Sequence, residues 1–313
     1  MVPALSSERV SVATTYSVYG LELRSDVDLP DLGDPVESTG APDVVVRLGS
    51  LTPPGPEVPL LEHGLWRTGQ ACGVDVPGVA RYEARGGREV VVDEAPGADP
   101  AAVRLFLLGT MMGAVMMQRD HLVLHGNAFR VGDACAVVVG RSGAGKSTLA
   151  AELARRGLDV LSDDVVPVTA DGLALTGYPR IKLWDDALER LGVSTDGLER
   201  IHTSHEKYQY PLQRTSSDPV PLRWIYVLER HDGDELTLAP VHGALTFSLL
   251  HEHTYRNELV HGPEAVSQHL AQCARLVSAT RVTRVRRPAS TMTAEATADA
   301  ILADIAEDSQ ERP

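Results

Sequence analysis

The sequence is short of cysteine, and this shortage excludes two kinds of protein. Its three cysteines, Cys72, Cys135 and Cys273, stand far apart in a chain of 313 residues. Disulfide frameworks and zinc sites need more cysteines at closer spacings. We therefore expect the chain to work in a reducing cytoplasm, where disulfides are rare.

Positive charge is also scarce. The chain has 29 Lys and Arg residues against 43 Asp and Glu residues, which gives a formal net charge of −14. General nucleic-acid binders present a basic face, because contacts with the phosphate backbone dominate their affinity. The charge balance therefore argues against nucleic acid as a partner, whereas a single bound nucleotide needs only local positive charge.

Long hydrophobic runs are missing near the N-terminus, where no apolar stretch follows a basic start, so a signal peptide is not expected. The most apolar window, residues 101–118, includes Arg104. It is just at the short limit for a membrane-spanning helix, which needs roughly 17–25 residues. The window therefore predicts a buried helix of the core, and no membrane partner.

Two regions differ in pattern along the chain. Residues 1–98 contain short alternating or β-branched runs punctuated by Gly and Pro, which predicts a small antiparallel β-rich lobe. Residues 99–313 mix strand and helix patterns and are predicted to form an α/β catalytic domain. Within this domain, residues 222–233 predict a strand and turn, with residues 234–241 as the hairpin partner. A chain of 313 residues fits two such domains, at about 100–200 residues each.

The segment around residue 140 has the order of a phosphate-binding turn. Residues 121–129 and 134–140 predict two strands joined by a tight turn, and a helical pattern begins at Ser147. Residues 157–164 predict a further strand. The strand–helix–strand unit over residues 134–162 should place its two strands parallel, so that both end at one edge of the sheet.

Residues 140–147 match G-x-x-x-x-G-K-[ST] at every fixed position. The glycines allow backbone N–H groups to point inward as an anion site, and a helix N-terminus adds positive charge. Lys146 is expected to reach the β- and γ-phosphates and Ser147 to hold Mg²⁺. The predicted nucleotide-binding residues are Gly140, Ser142, Gly143, Ala144, Gly145, Lys146, Ser147 and Thr148.

Two sequence motifs that are absent narrow the kind of nucleotide-binding protein. The sequence has no N-K-x-D segment of the kind that reads guanine, so ATP is the default. It also has no LSGGQ-like segment, which argues against a transport ATPase that completes its site across a dimer.

Two adjacent aspartates follow the next predicted strand. Asp163 is predicted to accept the proton of an incoming hydroxyl, and Asp164 to assist Mg²⁺, although the two roles could be exchanged. Because adjacent strand residues point to opposite faces, both carboxylates can face the site only if the strand ends and turns there. A helix cap or a solvated turn is the alternative. His125, at the end of the preceding strand, is a further catalytic candidate.

Three basic residues after the aspartates, Lys182, Lys207 and Arg214, could neutralise phosphate charge at a substrate site. A surface role is favoured for Lys207 and Arg214, but not for Lys182, which stands between the apolar residues Ile181 and Leu183. Residues 251–256, HEHTYR, lack a standard zinc spacing and are expected in a loop or a substrate-facing segment. A late basic strand is expected to be solvated and carries Arg281, Arg284, Arg286 and Arg287.

Three stretches together, LHGNAF, GRSGAGKST and RRGLDVLSDDVV, resemble the HPr kinase/phosphorylase family and especially its shorter relatives. The resemblance is best over residues 120–170. It implies a P-loop kinase fold in which one aspartate activates a serine hydroxyl and His125 lies beside the transferred phosphate. The N-terminal stretch YSVYGLELRSDVDLPDL is similar to relatives that phosphorylate lasso-peptide precursors. Thr148 stands where the HPr kinases proper have an acidic residue.

These observations predict an ATP- and Mg²⁺-dependent kinase that acts on a hydroxyl of a peptide or protein, with serine favoured. The resemblance also implies a possible homo-oligomer. Two alternatives stay open. One is a nucleotide-dependent peptide-binding module that hydrolyses ATP slowly, and the other is a kinase of small-molecule hydroxyls.

Overall fold

The computed structural model describes residues 13–69, 71–178, 180–190, 193–202, 205–211, 218–289 and 294–311. The described chain is a mixed α/β protein, as predicted, with two seven-stranded sheets and one three-stranded sheet. The boundary between domains at residue 98 stays a prediction.

The first sheet is built from the N-terminal lobe. Its strands are β1 (Thr14–Val18), β2 (Leu21–Ser25), β3 (Val44–Leu48), β4 (Leu65–Arg67), β5 (Ala71–Val76), β6 (Ala80–Arg85) and β7 (Glu89–Glu94), in the spatial order β1-β2-β3-β7-β6-β5-β4. β3 runs parallel to both of its neighbours, and the other pairs are antiparallel. The expectation of a purely antiparallel lobe is therefore wrong, because the long segment between β2 and β3 crosses over instead of turning back.

The apolar window forms a helix in three parts. These are α1 (Pro100–Phe106), a π-helical turn (Leu107–Met111) and α2 (Met112–Gln118). Asp99 caps its start by accepting a hydrogen bond from the Ala101 N–H at 3.0 Å. The helix is long and apolar enough to cross a membrane, but 67% of the window is buried in the protein, where it shares a core with the first sheet. This burial agrees with the predicted core helix.

The remaining elements belong mainly to the second half of the chain. The strands are β8 (Leu122–Val131), β9 (Ala134–Val139), β10 (Val160–Val168), β11 (Leu173–Ala174), β12 (Arg180–Trp184), β13 (Glu199–His202), β14 (His205–Pro211), β15 (Val220–His231), β16 (Thr237–Pro240) and β17 (Arg281–Pro288). The helices are α3 (Lys146–Arg155), α4 (Asp185–Arg190), α5 (Ala244–Glu252), α6 (Pro263–Ala279) and α7 (Ala294–Glu311).

The second sheet has β9 near its centre, in the order β11-β10-β8-β9-β15-β17-β16. All six residues of β9 are buried, and they alternate between two cores. Ala134, Ala136 and Val138 pack with α3 and α7, whereas the residues between them pack with α5 and α6. A strand that is buried on both faces has apolar residues at every position, and this explains the continuous apolar sequence of β9.

Two predicted pairings need correction. β9 and β10 run parallel as expected, but β8 lies between them and is antiparallel to both. β16 pairs with β17, not with β15 as the expected hairpin requires, because β17 inserts beside β15 as a parallel strand. Local sequence patterns predicted where the strands lie along the chain. The order of the strands in the sheet depends on long-range packing, which these patterns do not report.

The third sheet, in the order β12-β14-β13, brings a lysine to the edge of β10. Ile181 and Leu183 are fully buried against the alanines of α3, so the residue between them points the other way. Lys182 therefore faces β10, and its position depends on apolar packing on both sides.

We predict that Gly126→Ala destabilises the protein by about 1–3 kcal/mol, the usual cost of overpacking a core. Gly126 lies in β8, and a Cβ there would stand 2.4 Å from the Val138 carbonyl oxygen in β9. The free energy of unfolding in urea measures the effect. Gly40, where a Cβ has nothing within 4 Å, is the matched control. Its alanine variant should change stability by less than about 0.5 kcal/mol; equal stability of both variants would contradict this packing.

Candidate active site

A glycine-rich loop joins β9 to α3. The loop spans residues 140–145, and α3 begins at Lys146. Gly143 and Gly145 have φ of +78° and +101°, a backbone region that L-residues with a side chain rarely adopt. The tight turn leads directly into the first turn of α3, where backbone N–H groups have no partner within the helix. The arrangement can bind an anion through main-chain N–H groups and the positive end of α3.

Lys146 reaches back over this loop. Its side chain is buried, and Nζ donates to the Gly140 carbonyl at 2.7 Å and to the Arg141 carbonyl at 3.5 Å. The ammonium group is thus fixed beside the loop by backbone oxygens. A cation in this position can neutralise an anion bound to the loop amides.

The loop opens into a cavity of about 880 Å³. Of the predicted nucleotide-binding residues, those that line the cavity are Ser142, Gly143, Gly145, Lys146, Ser147 and Thr148. Gly140, the first residue of the loop, is buried beside the Leu228 carbonyl, and the Ala144 side chain is buried in the core shared by α3 and α7. The cavity also contains His125, Asp164 and Lys182, so these residues share one space with the predicted phosphate loop, whereas Asp163, the predicted base, does not line it.

The two adjacent aspartates have different surroundings. Asp163 is buried, and its two carboxylate oxygens accept hydrogen bonds from the Asn127 side-chain amide and from the Lys182 main-chain N–H. Asp164 faces the cavity, and its Oδ2 accepts a hydrogen bond from Lys182 Nζ at 2.8 Å. Asp163 therefore fastens β10 to its neighbours, whereas Asp164 presents a carboxylate to the cavity.

The backbone of β10 is distorted at this point. β10 continues to Val168, so the expected strand end at the aspartates is wrong. Instead, Asp164 adopts a left-handed conformation with φ of +66°, which lets both carboxylates contact Lys182. A left-handed aspartate costs about 1–3 kcal/mol, and such strain is most often found at functional sites.

Lys182 interacts with both aspartates, one through its main chain and one through its side chain. Burial by itself lowers the pKa of this ammonium group, but the carboxylate of Asp164, the Tyr178 phenol and the carboxylate of Asp163 raise the pKa well above its ordinary value. Lys182 is therefore positively charged at neutral pH. It can neutralise negative charge that builds up on this side of the cavity.

His125 lies on β8, beside Asp164. Its Nδ1 is 3.2 Å from the Asp164 carbonyl oxygen, so Nδ1 carries the proton and donates. Burial lowers the pKa of His125 below its ordinary value, and nearby Lys146 and Lys182 act in the same direction. The ring is neutral at pH 7, with Nε2 left as a hydrogen-bond acceptor.

The remaining predicted substrate residues are described only in part. Lys207 lies in β14 opposite Trp184, and its side chain is outside the described part of the chain. Arg214 lies outside the described residues altogether.

Arg287 is a site residue that sequence reasoning placed on a solvated strand face. It lies in β17, and its Nε donates to the Ala144 carbonyl in the glycine loop at 2.8 Å. Burial and the nearby Arg230 lower the pKa of this guanidinium. Both arginines line the cavity, and neither lies within 4 Å of a carboxylate in the described ranges. The alternation of polar and apolar residues along β17 could not predict this contact. It arises because β17 pairs in parallel with β15, which brings Arg287 beside the loop.

The segment HEHTYR includes the end of α5, at His251 and Glu252, and continues beyond it along the cavity. His253 is buried, and its carbonyl accepts a hydrogen bond from the His125 N–H at 2.7 Å. Tyr255 and Arg256 line the cavity, with the Tyr255 ring 5.6 Å from the ring of His125. The segment thus faces the cavity, one of the positions that the sequence left open.

No protein-family model matches the sequence, and no curated protein matches it. Among solved structures, the chain is similar to the Hpr(Ser) kinase/phosphatase from Coxiella burnetii. The two sequences are 10% identical, and the alignment covers 53% of this chain and 85% of that one, with a TM-score of 0.24. The functional proposal below therefore depends on the residues of this chain's own cavity.

We predict that the protein loses stability as the pH falls from 6.5 towards 5. Burial lowers the pKa of His253 and of His269 to about 4, from an ordinary value of 6.5. Between these values the unfolded chain binds more protons than the folded one, so the free energy of unfolding decreases with falling pH. Urea unfolding at several pH values measures this change in the free energy of unfolding. His269→Gln should flatten the slope, and an unfolding free energy that stays constant over this range would contradict the burial.

Proposed function

We propose that this protein is an ATP-dependent kinase that transfers the γ-phosphate to a hydroxyl, with serine favoured, of a peptide or protein. One observation carries the proposal. A glycine loop with a buried lysine at a helix N-terminus shares a cavity with Asp164, a carboxylate held by the buried Lys182. A glycine loop with a lysine can bind the nucleotide, and a carboxylate beside it supplies the metal ligand or base that phosphoryl transfer uses.

The glycine loop would hold the phosphates of the nucleotide. Its main-chain N–H groups and the N-terminus of α3 supply hydrogen-bond donors, and Lys146 supplies a full positive charge. Upon binding, phosphate oxygens would replace the Gly140 and Arg141 carbonyls as partners of Nζ. Arg287 would keep the loop in shape through its hydrogen bond with the Ala144 carbonyl.

Mg²⁺ fits the donor set at the start of α3. The Ser147 hydroxyl lines the cavity, and hydroxyl, phosphate and carboxylate oxygens are the ligands this ion prefers. Asp164 is the carboxylate of the aspartate pair that lines the cavity, so it is the one available to the ion. When bound, the ion would neutralise charge on the phosphates.

Asp164, not Asp163, is the better candidate for the base. Both oxygens of Asp163 are engaged with β8 and β12 and the side chain is buried, whereas Asp164 points into the cavity. This assignment gives Asp164 both roles that the sequence had divided between the two aspartates. Asp164 lies at the cavity beside His125 and is the carboxylate of the pair that an acceptor hydroxyl could reach.

Transfer would proceed in line. The acceptor oxygen bonds to the γ-phosphorus while the bond to the β,γ-bridging oxygen breaks, and the hydroxyl proton passes to Asp164. Lys146 and Lys182 would neutralise the charge on the transferred group, and His125 Nδ1 would hold the Asp164 backbone through its carbonyl. Positioning and charge do most of the catalysis in such sites, and a base adds about 10²–10⁴-fold.

We predict that Asp164→Asn retains ATP binding but loses phosphate transfer by about 10²-fold or more, because the hydroxyl proton has no acceptor. Transfer of labelled γ-phosphate from ATP to serine peptides measures it, with nucleotide affinity measured in parallel. The assay is repeated at rising Mg²⁺. Activity restored by Mg²⁺ would instead make Asp164 a metal ligand, and transfer at the parent rate would contradict both roles.

The same assay on the parent protein separates the alternative functions. Label that is released only as free phosphate indicates the slow ATPase, and label on metabolites but not peptides indicates a small-molecule kinase.

We predict that Lys146→Ala weakens ATP binding by about tenfold or more, because the phosphate chain loses a charge-assisted hydrogen bond. Isothermal titration with ATP and Mg²⁺ measures the affinity. Arg141→Ala is the matched control. Arg141 belongs to the same loop, but its exposed side chain pairs with Glu252. Equal affinities of the Lys146 variant and the parent protein would exclude this phosphate site.

A further inference from the structure

Part of the cavity wall is built by two segments that the proposed chemistry does not use. The π-helical turn between α1 and α2 supplies Gly109 and Thr110, and the segment after α5 supplies Tyr255 and Arg256. π-Helical turns are rare and occur frequently at functional sites. The wall is therefore a candidate for a second binding surface in the cavity.

Tyr255 fixes the position of the segment against the helix. A Cβ on Gly113 would lie 2.8 Å from the Tyr255 ring, and a Cβ on Gly109 would lie 3.1 Å from its hydroxyl. The two glycines thus allow the ring to lie directly on the helix backbone. On its other side the ring is near His125, which itself contacts Asp164. Arg256 Cζ lies 5.7 Å from the centre of the Tyr255 ring, so these contacts place Arg256 in the same cavity as His125 and Asp164.

Arg256 is held in an unusual way. Its backbone is left-handed, with φ of +47°, and its Nη2 donates to Thr110 Oγ1 at 3.2 Å. Nε is shielded from solvent and has no hydrogen-bond partner, and no carboxylate lies within 4 Å of the guanidinium in the described part of the chain. A guanidinium carries five donors, and burying an unmatched donor or charge is costly. The cost is recovered when an anion binds.

We propose that Arg256 binds a carboxylate on the acceptor, next to the hydroxyl that receives the phosphate. The planar guanidinium can bind a carboxylate through two parallel hydrogen bonds. This contact would orient the substrate peptide and would select for a peptide with a negative charge. The nucleotide phosphates have their own donors in the glycine loop and Lys146. This inference rests on the proposed kinase function and names the class of its substrate: a peptide with a carboxylate close to the serine, either an acidic side chain or a free C-terminus.

The test uses the full-length protein and four serine peptides that share one neutral sequence. One is neutral with an amidated end, one has Glu beside the serine, one ends in serine with a free carboxylate, and one has Lys beside the serine. Transfer of labelled γ-phosphate from ATP gives kcat/KM for each. We expect a preference of about tenfold or more for a carboxylate peptide over the neutral one, and the two carboxylate peptides identify the source of the charge.

Variants separate this role from a structural one. Arg256→Gln should abolish the preference, with kcat/KM for the carboxylate peptides falling to the value for the neutral peptide, and Arg256→Glu should favour the Lys peptide. Arg67→Gln is the matched control. Arg67 donates to the Leu259 carbonyl of the same segment at 2.7 Å but lines a different cavity. Equal kcat/KM for neutral and carboxylate peptides, or a preference that survives Arg256→Gln, would overturn the inference.

A binding measurement keeps the inference independent of transfer. Trp184 is 47% exposed at the cavity, whereas Trp66 and Trp224 are buried, so its fluorescence reports occupancy. Peptides with Ala in place of the serine are titrated into the ATP-bound protein. If no peptide is phosphorylated, the kinase proposal fails. Carboxylate-dependent binding that is lost in Arg256→Gln would still support the anion site, and carboxylate-independent binding would reject it.

Discussion

The candidate site depends on the way in which one buried lysine interacts with two adjacent carboxylates. Lys182 donates its main-chain N–H to Asp163 and its ammonium group to Asp164. Asp163 in turn accepts a hydrogen bond from Asn127, so three strands from two sheets meet at this point. Removing one partner of a buried ion pair leaves an uncompensated charge, which typically costs about 3–5 kcal/mol. This penalty maintains the left-handed backbone of Asp164 and directs its carboxylate into the cavity.

The acidic chain concentrates positive charge where a polyanion would bind. Lys146, Lys182, Arg230 and Arg287 line the same cavity, although the whole chain carries a net charge of −14. Low-dielectric walls strengthen such local fields, so the overall charge does not prevent binding of a nucleotide. Arg256 extends this positive wall beyond the glycine loop, towards the place where an acceptor would lie.

Sequence reasoning worked where local chemistry determines structure. The β9–loop–α3 order followed from an apolar run, clustered glycines and a helical pattern, and the apolar window became a core helix. It did not predict that β8 lies between β9 and β10, because strand order is set by long-range packing. It also missed the kink at Asp164, where the strain is maintained by Lys182, a residue distant in sequence. Arg287 was assigned to a solvated face for the same reason: its partner, the Ala144 carbonyl, is far away along the chain.

The most direct test of this account is a crystal structure with Mg²⁺ and a non-hydrolysable ATP analogue. The account predicts that the β- and γ-phosphates lie on the loop of residues 140–145, with Lys146 Nζ on the γ-phosphate and the Asp164 carboxylate facing it across a gap wide enough for one hydroxyl. Phosphates bound elsewhere, or an Asp164 side chain that turns away from the γ-phosphate, would contradict it.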